Sequence, residues 1–155
     1  MLTFKTIGHV SSPYQDTSSI PKGLGAKHEA EGVLNIMPEF ELGLTDIEGF
    51  SQLFVIWAFH RSVDFELMGT PPIDNRPHGV FATRSPRRPN PIGLTVVELL
   101  RREGRLLYVR GVDMLDGTPI LDIKPYLSGV ATEALRRGWI AEAEARKRGD
   151  PEGTR

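Results

Sequence analysis

The spacing of apolar and polar positions changes every ten residues or so, and it predicts a protein built mainly from short strands. Residues 4–10 alternate imperfectly and stop at Ser11-Ser12-Pro13, which predicts a first strand. Residues 14–25 crowd Asp, Ser, Pro and Gly together and predict a loop. Residues 32–37 read as a second strand. Beyond Pro38, the spacing of Phe40, Leu44 and Ile47 predicts one or two helical turns, weakened by Gly43. Residues 53–59 are an unbroken apolar run, too short for a typical helix and rich in aromatic and β-branched side chains. They predict a strand buried on both faces. Residues 63–78 hold Gly69, Pro71, Pro72 and Pro77 without periodicity, which predicts a long loop of the kind that usually carries function. Residues 79–83, 92–100, 106–112 and 119–123 complete the strands. Gly104, within Arg102-Glu103-Gly104-Arg105, and the pair Asp116-Gly117 supply the turns between them.

From Ala131 the period becomes helical. Ala131, Leu135, Trp139 and Ala143 fall on one stripe, and Glu142–Arg146 and Glu144–Arg148 are spaced for i, i+4 pairing. The expected helix docks Trp139 on the barrel or on a partner subunit. About seven short strands at this spacing argue for a closed sheet, because closure removes exposed edges. The predicted fold is therefore mostly β: a mixed, largely antiparallel closed barrel over residues 1–130. A short C-terminal helix and frayed tail over residues 131–155 belong to the same domain.

Composition narrows the chemistry. A chain of 155 residues is long enough for one core and too short for two. Its 19 basic and 20 acidic residues give a net charge of -1, so global charge selects no partner. The absence of cysteine excludes disulfides, thiolate metal sites and a cysteine nucleophile. The longest apolar run falls far short of the ~18 residues of a membrane span. Residues 1–5 lack a basic region followed by an apolar stretch, which points to a cytoplasmic protein. Gly23-Leu24-Gly25 follows a loop and has no third glycine, so it is not a dinucleotide fingerprint. His28-Glu29 has Gly32 where a zinc protease needs its second histidine, and His9, His28, His60 and His78 lack ligand spacing. No metal site is expected.

The most informative stretch is Arg84-Ser85-Pro86-Arg87-Arg88-Pro89-Asn90-Pro91-Ile92-Gly93. Its prolines fix φ and extend the residues before them, so its guanidinium groups are presented on a stiff loop. Such an arrangement suits bidentate recognition of carboxylate or phosphate. Seven arginines between positions 84 and 110 face only Glu98 and Glu103, while Glu39, Glu41, Asp46 and Glu48 cluster elsewhere. This predicts a polarised molecule with one anion-attracting face. His60 and Arg61 end the apolar strand abruptly with polar groups. Asp122 and Lys124 share one face of a short strand with Tyr126 following, and period two sends Leu121 and Ile123 to the core side. This trio is either a surface ion pair with a phenol beside it or the lining of a pocket.

The stretches IGHVSSPY (7–14), FSQLFVIWAFH (50–60), GVFATRSPRRPNPIGLTVVEL (79–99) and LDGTPILDIKPY (115–126) resemble the TsaA-like family. These are β-barrel, S-adenosylmethionine-dependent tRNA (adenine-N6)-methyltransferases acting on threonylcarbamoyladenosine beside the anticodon. The resemblance implies S-adenosylmethionine as cofactor, tRNA as partner and a homodimer. It implies cofactor contacts at Lys22, Gly23, Leu24, His60, Arg61, Arg84, Val96, Val112, Asp113, Met114 and Leu115. Arg87 and Arg88 then remain for RNA phosphate. Asp122 is a candidate acceptor of the departing proton, with Lys124 and Tyr126 orienting the base. Two rival readings are a non-enzymatic RNA-binding barrel and a methyltransferase acting on a small molecule.

Overall fold

The structure is a computed structural model that describes residues 1–21 and 27–149. Its strands are β1 (Gly8–Ser11), β2 (Glu31–Ile36), β3 (Gln52–Ala58), β4 (Met68–Gly69), β5 (His78–Gly79), β6 (Ile92–Glu103), β7 (Leu106–Arg110) and β8 (Pro119–Pro125). A single helix, α1 (Gly138–Gly149), follows them. Six strands close a barrel in the order β1-β2-β7-β6-β3-β8, and β4 pairs with β5 apart from it. Every pairing is antiparallel. The closed barrel expected from the sequence is thus present, with six strands rather than about seven and no parallel pair among the described residues.

Alternation decides which side chains fill it. Leu53, Val55 and Trp57 of β3, Val97 of β6, Leu107 and Val109 of β7 and Ile120 of β8 point inward and are buried. β3 was expected to be buried on both faces, but its outward residues Phe54, Ile56 and Ala58 are only half-covered, because a barrel wall has one dry side. Gly93 stands opposite Trp57 in the β3–β6 register. A Cβ there would meet Trp57 Cε2 at 2.3 Å, so the indole lies flat on β6 only because position 93 has no side chain. In β8 the register slips: Ile56 faces Asp122 while Trp57 faces Ile120. The bulge corrects the strict period-two expectation, because Ile120 takes the core position and Leu121 is left half-buried.

The antiparallel order sends the β1–β2, β3–β6 and β7–β8 connections off one end of the barrel. The other end carries the β2–β3 connection and the tight β6–β7 hairpin, where Gly104 takes φ +61° at the first turn position. Residues 38–49 there form 3₁₀ turns, Pro38–Leu44 and Ile47–Gly49, instead of α-helix. Charges interleave around the barrel. Arg102 bonds Glu48 and the Leu44 carbonyl, Arg101 pairs with Glu103, and Arg110 pairs with Glu98 and Glu31. The expected single basic face is therefore absent for these arginines, because each lies beside a carboxylate: Glu103 on the same strand, Glu48 in the β2–β3 connection, and Glu98 and Glu31 on the neighbouring strands.

Residues 79–83 were expected to be a strand, but beyond Gly79 they form a 3₁₀ turn, Val80–Ala82. The helix also departs from expectation. Residues 131–137 stay outside it, and Thr132–Ala134 is an isolated 3₁₀ turn. Neither expected i, i+4 pair closes as an ion pair, although the charge of Arg148 still acts on Glu144; Glu142 pairs with Arg76, Arg146 with Asp74 and Glu144 with Arg137. Within the chain Trp139 docks on the β3–β6 connection rather than on the barrel wall. Its ring stacks on His78 at 4.2 Å and its Nε1 donates to the Ala82 carbonyl at 2.8 Å. The partner of α1 is thus the β3–β6 connection, clamped at Asp74, whose carboxylate has no exposed surface and meets His78 Nε2 at 2.6 Å.

The Asp74 carboxyl is held down to about 2 from 3.8, first by the His78 hydrogen bond and then by the Asn75 amide and the charges of Arg76 and Arg146. A depressed carboxyl contributes stability above its unfolded pKa and loses it as pH falls toward the folded value. Acid titration followed by far-UV ellipticity should show α1 melting between about pH 4 and pH 2, in step with loss of this clamp. Asp74→Asn should lack that step and have less helix at neutral pH. An unchanged acid profile in the variant would separate the helix from Asp74.

Candidate functional site

At the end of the barrel that carries the β1–β2, β3–β6 and β7–β8 connections lies a cavity of about 380 Å³. That is within the size range of small-molecule sites. Its walls come from four segments: the loop after β1 (Thr17, Ile20), the end of β3 and beyond (Trp57 to Asp64), the arginine–proline loop (Pro86, Arg87), and the β7–β8 connection (Asp113, Met114, Leu115, Thr118). The walls are mostly apolar, and Trp57 and Phe59 meet edge to face at 4.3 Å between ring centroids.

Each wall is fixed locally. Asp16 caps the 3₁₀ turn Thr17–Ser19, accepting from the Ser18 amide at 2.9 Å. The Ser18 hydroxyl and amide, with the charge of Arg61, hold the Asp16 carboxyl below its ordinary range. Arg61 also donates to the Gln15 carbonyl at 3.4 Å, tying the strand end to this loop. Ser62 reaches the Pro86 carbonyl at 3.0 Å, and the Glu66 amide reaches Arg87 O at 3.3 Å, so the two ends of the β3–β6 connection are stitched together. The β7–β8 segment is held against β1 by the Gly117 amide to Val10 O and by the Ser12 amide to Asp116 Oδ1. Asp113 accepts from the Thr95 hydroxyl at 2.6 Å.

The structure brings together His60, Arg61, Asp113, Met114 and Leu115 of the cofactor set implied by resemblance, and adds Arg87, which was assigned to RNA. Arg87 pairs with Asp64 at 3.1 Å and Glu66 at 3.7 Å across half-exposed surface. Arg88 directs Nη1 to the carbonyls of Thr83 and Ser85, bracing the loop from within. Arg84 is exposed and has no side-chain partner among the described residues. Val112 is fully buried in the barrel core. Lys22, Gly23 and Leu24 lie outside the described residues.

A second group stays apart from the cavity. Val96, Phe54 and Lys124 stand side by side in register on the outer wall, as do Leu94, Ile56 and Asp122. Lys124 Nζ lies 3.0 Å from Asp122 Oδ2, and the Tyr126 ring packs on Phe54 at 5.1 Å. The Tyr126 amide bonds Gln52 O, at the end of β3 remote from the cavity, roughly 20 Å along the strand at ~3.3 Å per residue. Sequence reasoning did not single out Trp57, Asp64 or Thr95. An inward threonine between inward Gly93 and Val97 was the available signal, because an all-apolar wall has no use for it.

Comparison with known proteins fits this architecture. The family described as the tRNA-methyltransferase O N-terminal domain (TrmO_N) matches residues 9–131. A probable S-adenosyl-L-methionine-binding protein of Pyrococcus abyssi is 45% identical over 141 residues, covering 90% of this chain and 77% of that protein. The Escherichia coli tRNA (adenine(37)-N6)-methyltransferase is 37% identical over 134 residues, covering 80% of this chain and 57% of its own length. The crystal structure of TrmO from Pseudomonas aeruginosa superposes with a TM-score of 0.71 at 34% identity, covering 89% of this chain and 61% of that one. The chain thus spans little more than half of the E. coli enzyme. Both the sequence match and the barrel place it in one group: the chain belongs to the TrmO N-terminal domain family.

Proposed function

We propose that the chain binds S-adenosylmethionine in the barrel-mouth cavity and transfers its methyl to the exocyclic amine of a threonylcarbamoyl-modified adenosine in a tRNA anticodon loop. The observation that carries the reading is the composition of the cavity. Trp57, Phe59, Met114 and Leu115 offer apolar walls for a purine, Arg61 and Arg87 offer a carboxylate partner, and Asp64 and Asp113 offer acceptors for cationic or hydroxyl groups. The bound cofactor would supply an electrophilic methyl on a sulfonium centre. The protein's task is then to align donor and acceptor and keep water out, since in-line positioning supplies much of such a rate gain. Lys22, Gly23, Leu24, Arg84, Val96 and Val112 complete the proposed cofactor contacts by resemblance.

Asp122, Lys124 and Tyr126 are proposed to act on the adenosine, with Asp122 accepting the proton. Their outer-wall position favours a dimer in which one copy presents this face to the other copy's cavity. Ile92, Leu94 and Val96, 38–43% exposed beside Phe54 and Ile56, give that face an apolar patch of the kind that marks an interface. Two-fold pairing is the commonest closed assembly and would use the patch on both copies.

Three measurements test this reading. Calorimetry should detect binding of S-adenosylhomocysteine, and Arg61→Ala or Arg84→Ala should each weaken it by ~1.5–3 kcal/mol, the worth of a charged hydrogen bond. No heat at millimolar ligand would reject the cofactor. Arg88 keeps Nε and Nη2 without partners among the described residues, and Arg87 is half-exposed. Replacing both with Ala should weaken tRNA binding and lower its log–log salt slope by about 0.7–0.9 per lost phosphate contact. A steady salt slope would remove them from the RNA surface. Sedimentation should give a dimer at micromolar concentration, with Leu94→Glu producing a folded monomer that has lost methyl transfer. A fully active monomer would exclude a shared site.

A further inference from the structure

Besides the Asp74 carboxylate of the helix clamp, the buried polar residues among those described are Thr95, 7% exposed, and Thr118, 1% exposed. Thr118 satisfies itself locally, donating to the Leu115 carbonyl at 2.6 Å. Thr95 does not. Its Oγ1 lies 3.0 Å from Trp57 Nε1 and 2.6 Å from Asp113 Oδ1, so it joins an aromatic wall of the cavity to a carboxylate in the same cavity.

Valence fixes the direction of this chain. An indole nitrogen can only donate, and a hydroxyl has one proton. Trp57 therefore donates to Thr95, and the proton of Thr95 goes to Asp113. One carboxylate oxygen is pinned, while Oδ2 has no hydrogen-bond partner among the described residues. The inward neighbours of Thr95 along β6 are Gly93, which seats the Trp57 ring, and Val97, which is pure core. A valine at position 95 would fill the same volume without a polar atom to satisfy. A buried hydroxyl is retained without cost only when bonded, and here both its bonds lead to cavity residues.

We propose that Thr95 is a positioning residue. Through the Trp57–Thr95–Asp113 chain it holds the Asp113 carboxylate so that Oδ2 accepts a hydrogen bond from the ligand in the barrel mouth. This rests on the cofactor reading above and assigns to Thr95 a role exerted on the ligand only through Asp113.

The test compares wild type with Thr95→Ser, Thr95→Val, Asp113→Asn and the Thr95→Val/Asp113→Asn double variant. S-adenosylhomocysteine affinity is read by calorimetry and folding by near-UV dichroism. Thr95→Ser should bind within about twofold of wild type, and Thr95→Val about tenfold more weakly, as expected for loss of an aimed charged acceptor. Asp113→Asn should lose at least as much. The double variant should be no weaker than Asp113→Asn alone, since an aim without an acceptor is worth nothing. The indole N–H resonance of Trp57 should move on ligand binding in wild type and in Thr95→Ser. Losses that add in the double variant, or a folded Thr95→Val that binds like wild type, would overturn the proposal while leaving the cofactor reading intact. If Thr95→Val fails to fold, a Trp57 resonance unmoved by ligand in a binding wild type overturns it equally. A wild type that binds no S-adenosylhomocysteine overturns the cofactor reading, and this inference with it.

Discussion

Closure of the barrel through β8 is the constraint on which the other features depend. β8 pairs with β3 along most of its length and with β1 at Gly8 and His9 only. Without that second seam, β1 and β8 would both be open edges with unpaired amides and carbonyls. Gly8 makes the seam possible because it is paired on both sides, with Ile36 and with Ile120. A Cβ there would meet the Asn35 carbonyl oxygen at 2.4 Å, so any side chain would push β1 off β2. Closure also draws the β7–β8 segment across the barrel mouth, which delivers Asp113, Met114 and Leu115 to the end of β3.

The candidate site follows from that topology. Antiparallel strands in this order gather three connections at one end, the two longest among them, and leave the other to a tight hairpin and the 3₁₀ turns between β2 and β3. The interior itself is filled by packed side chains, so the cavity sits at the mouth rather than within the barrel. The polar chain through Thr95 links that packed interior to the cavity, with Trp57 belonging to both.

Electrostatics works at short range in this molecule. Arg101, Arg102 and Arg110 have carboxylate partners around the barrel, and the exposed pairs of Arg101 and Arg110 are each worth little. The buried clamp at Asp74 differs. It joins a loop to a helix that a dozen residues could not sustain alone. Removing its basic partners would leave the Asp74 carboxylate buried without compensation, which makes α1 and the β3–β6 connection one cooperative unit.

The sequence by itself determined the strands whose pattern is local: residues 32–37, 92–100 and the hairpin at Gly104 are found where alternation and turn chemistry place them. It also determined the closed barrel, since many short strands need their edges paired, and the quoted motifs located the family. The resemblance also named His60, Arg61 and Asp113 to Leu115, which the fold gathers around one cavity. Only the tertiary structure decided the rest. Residues 79–83 have the composition of a strand but lack a full-length partner, so the backbone turns beyond Gly79 instead. The bulge in β8 exchanged Leu121 for Ile120 in the core, because register is negotiated between strands and not within one. Glu142 and Arg146 left their helical spacing for Arg76 and Asp74, and Thr95 became a bridge between Trp57 and Asp113. Each of these outcomes depends on residues distant in the chain that meet only after closure, and a single strand's periodicity carries no record of its neighbour.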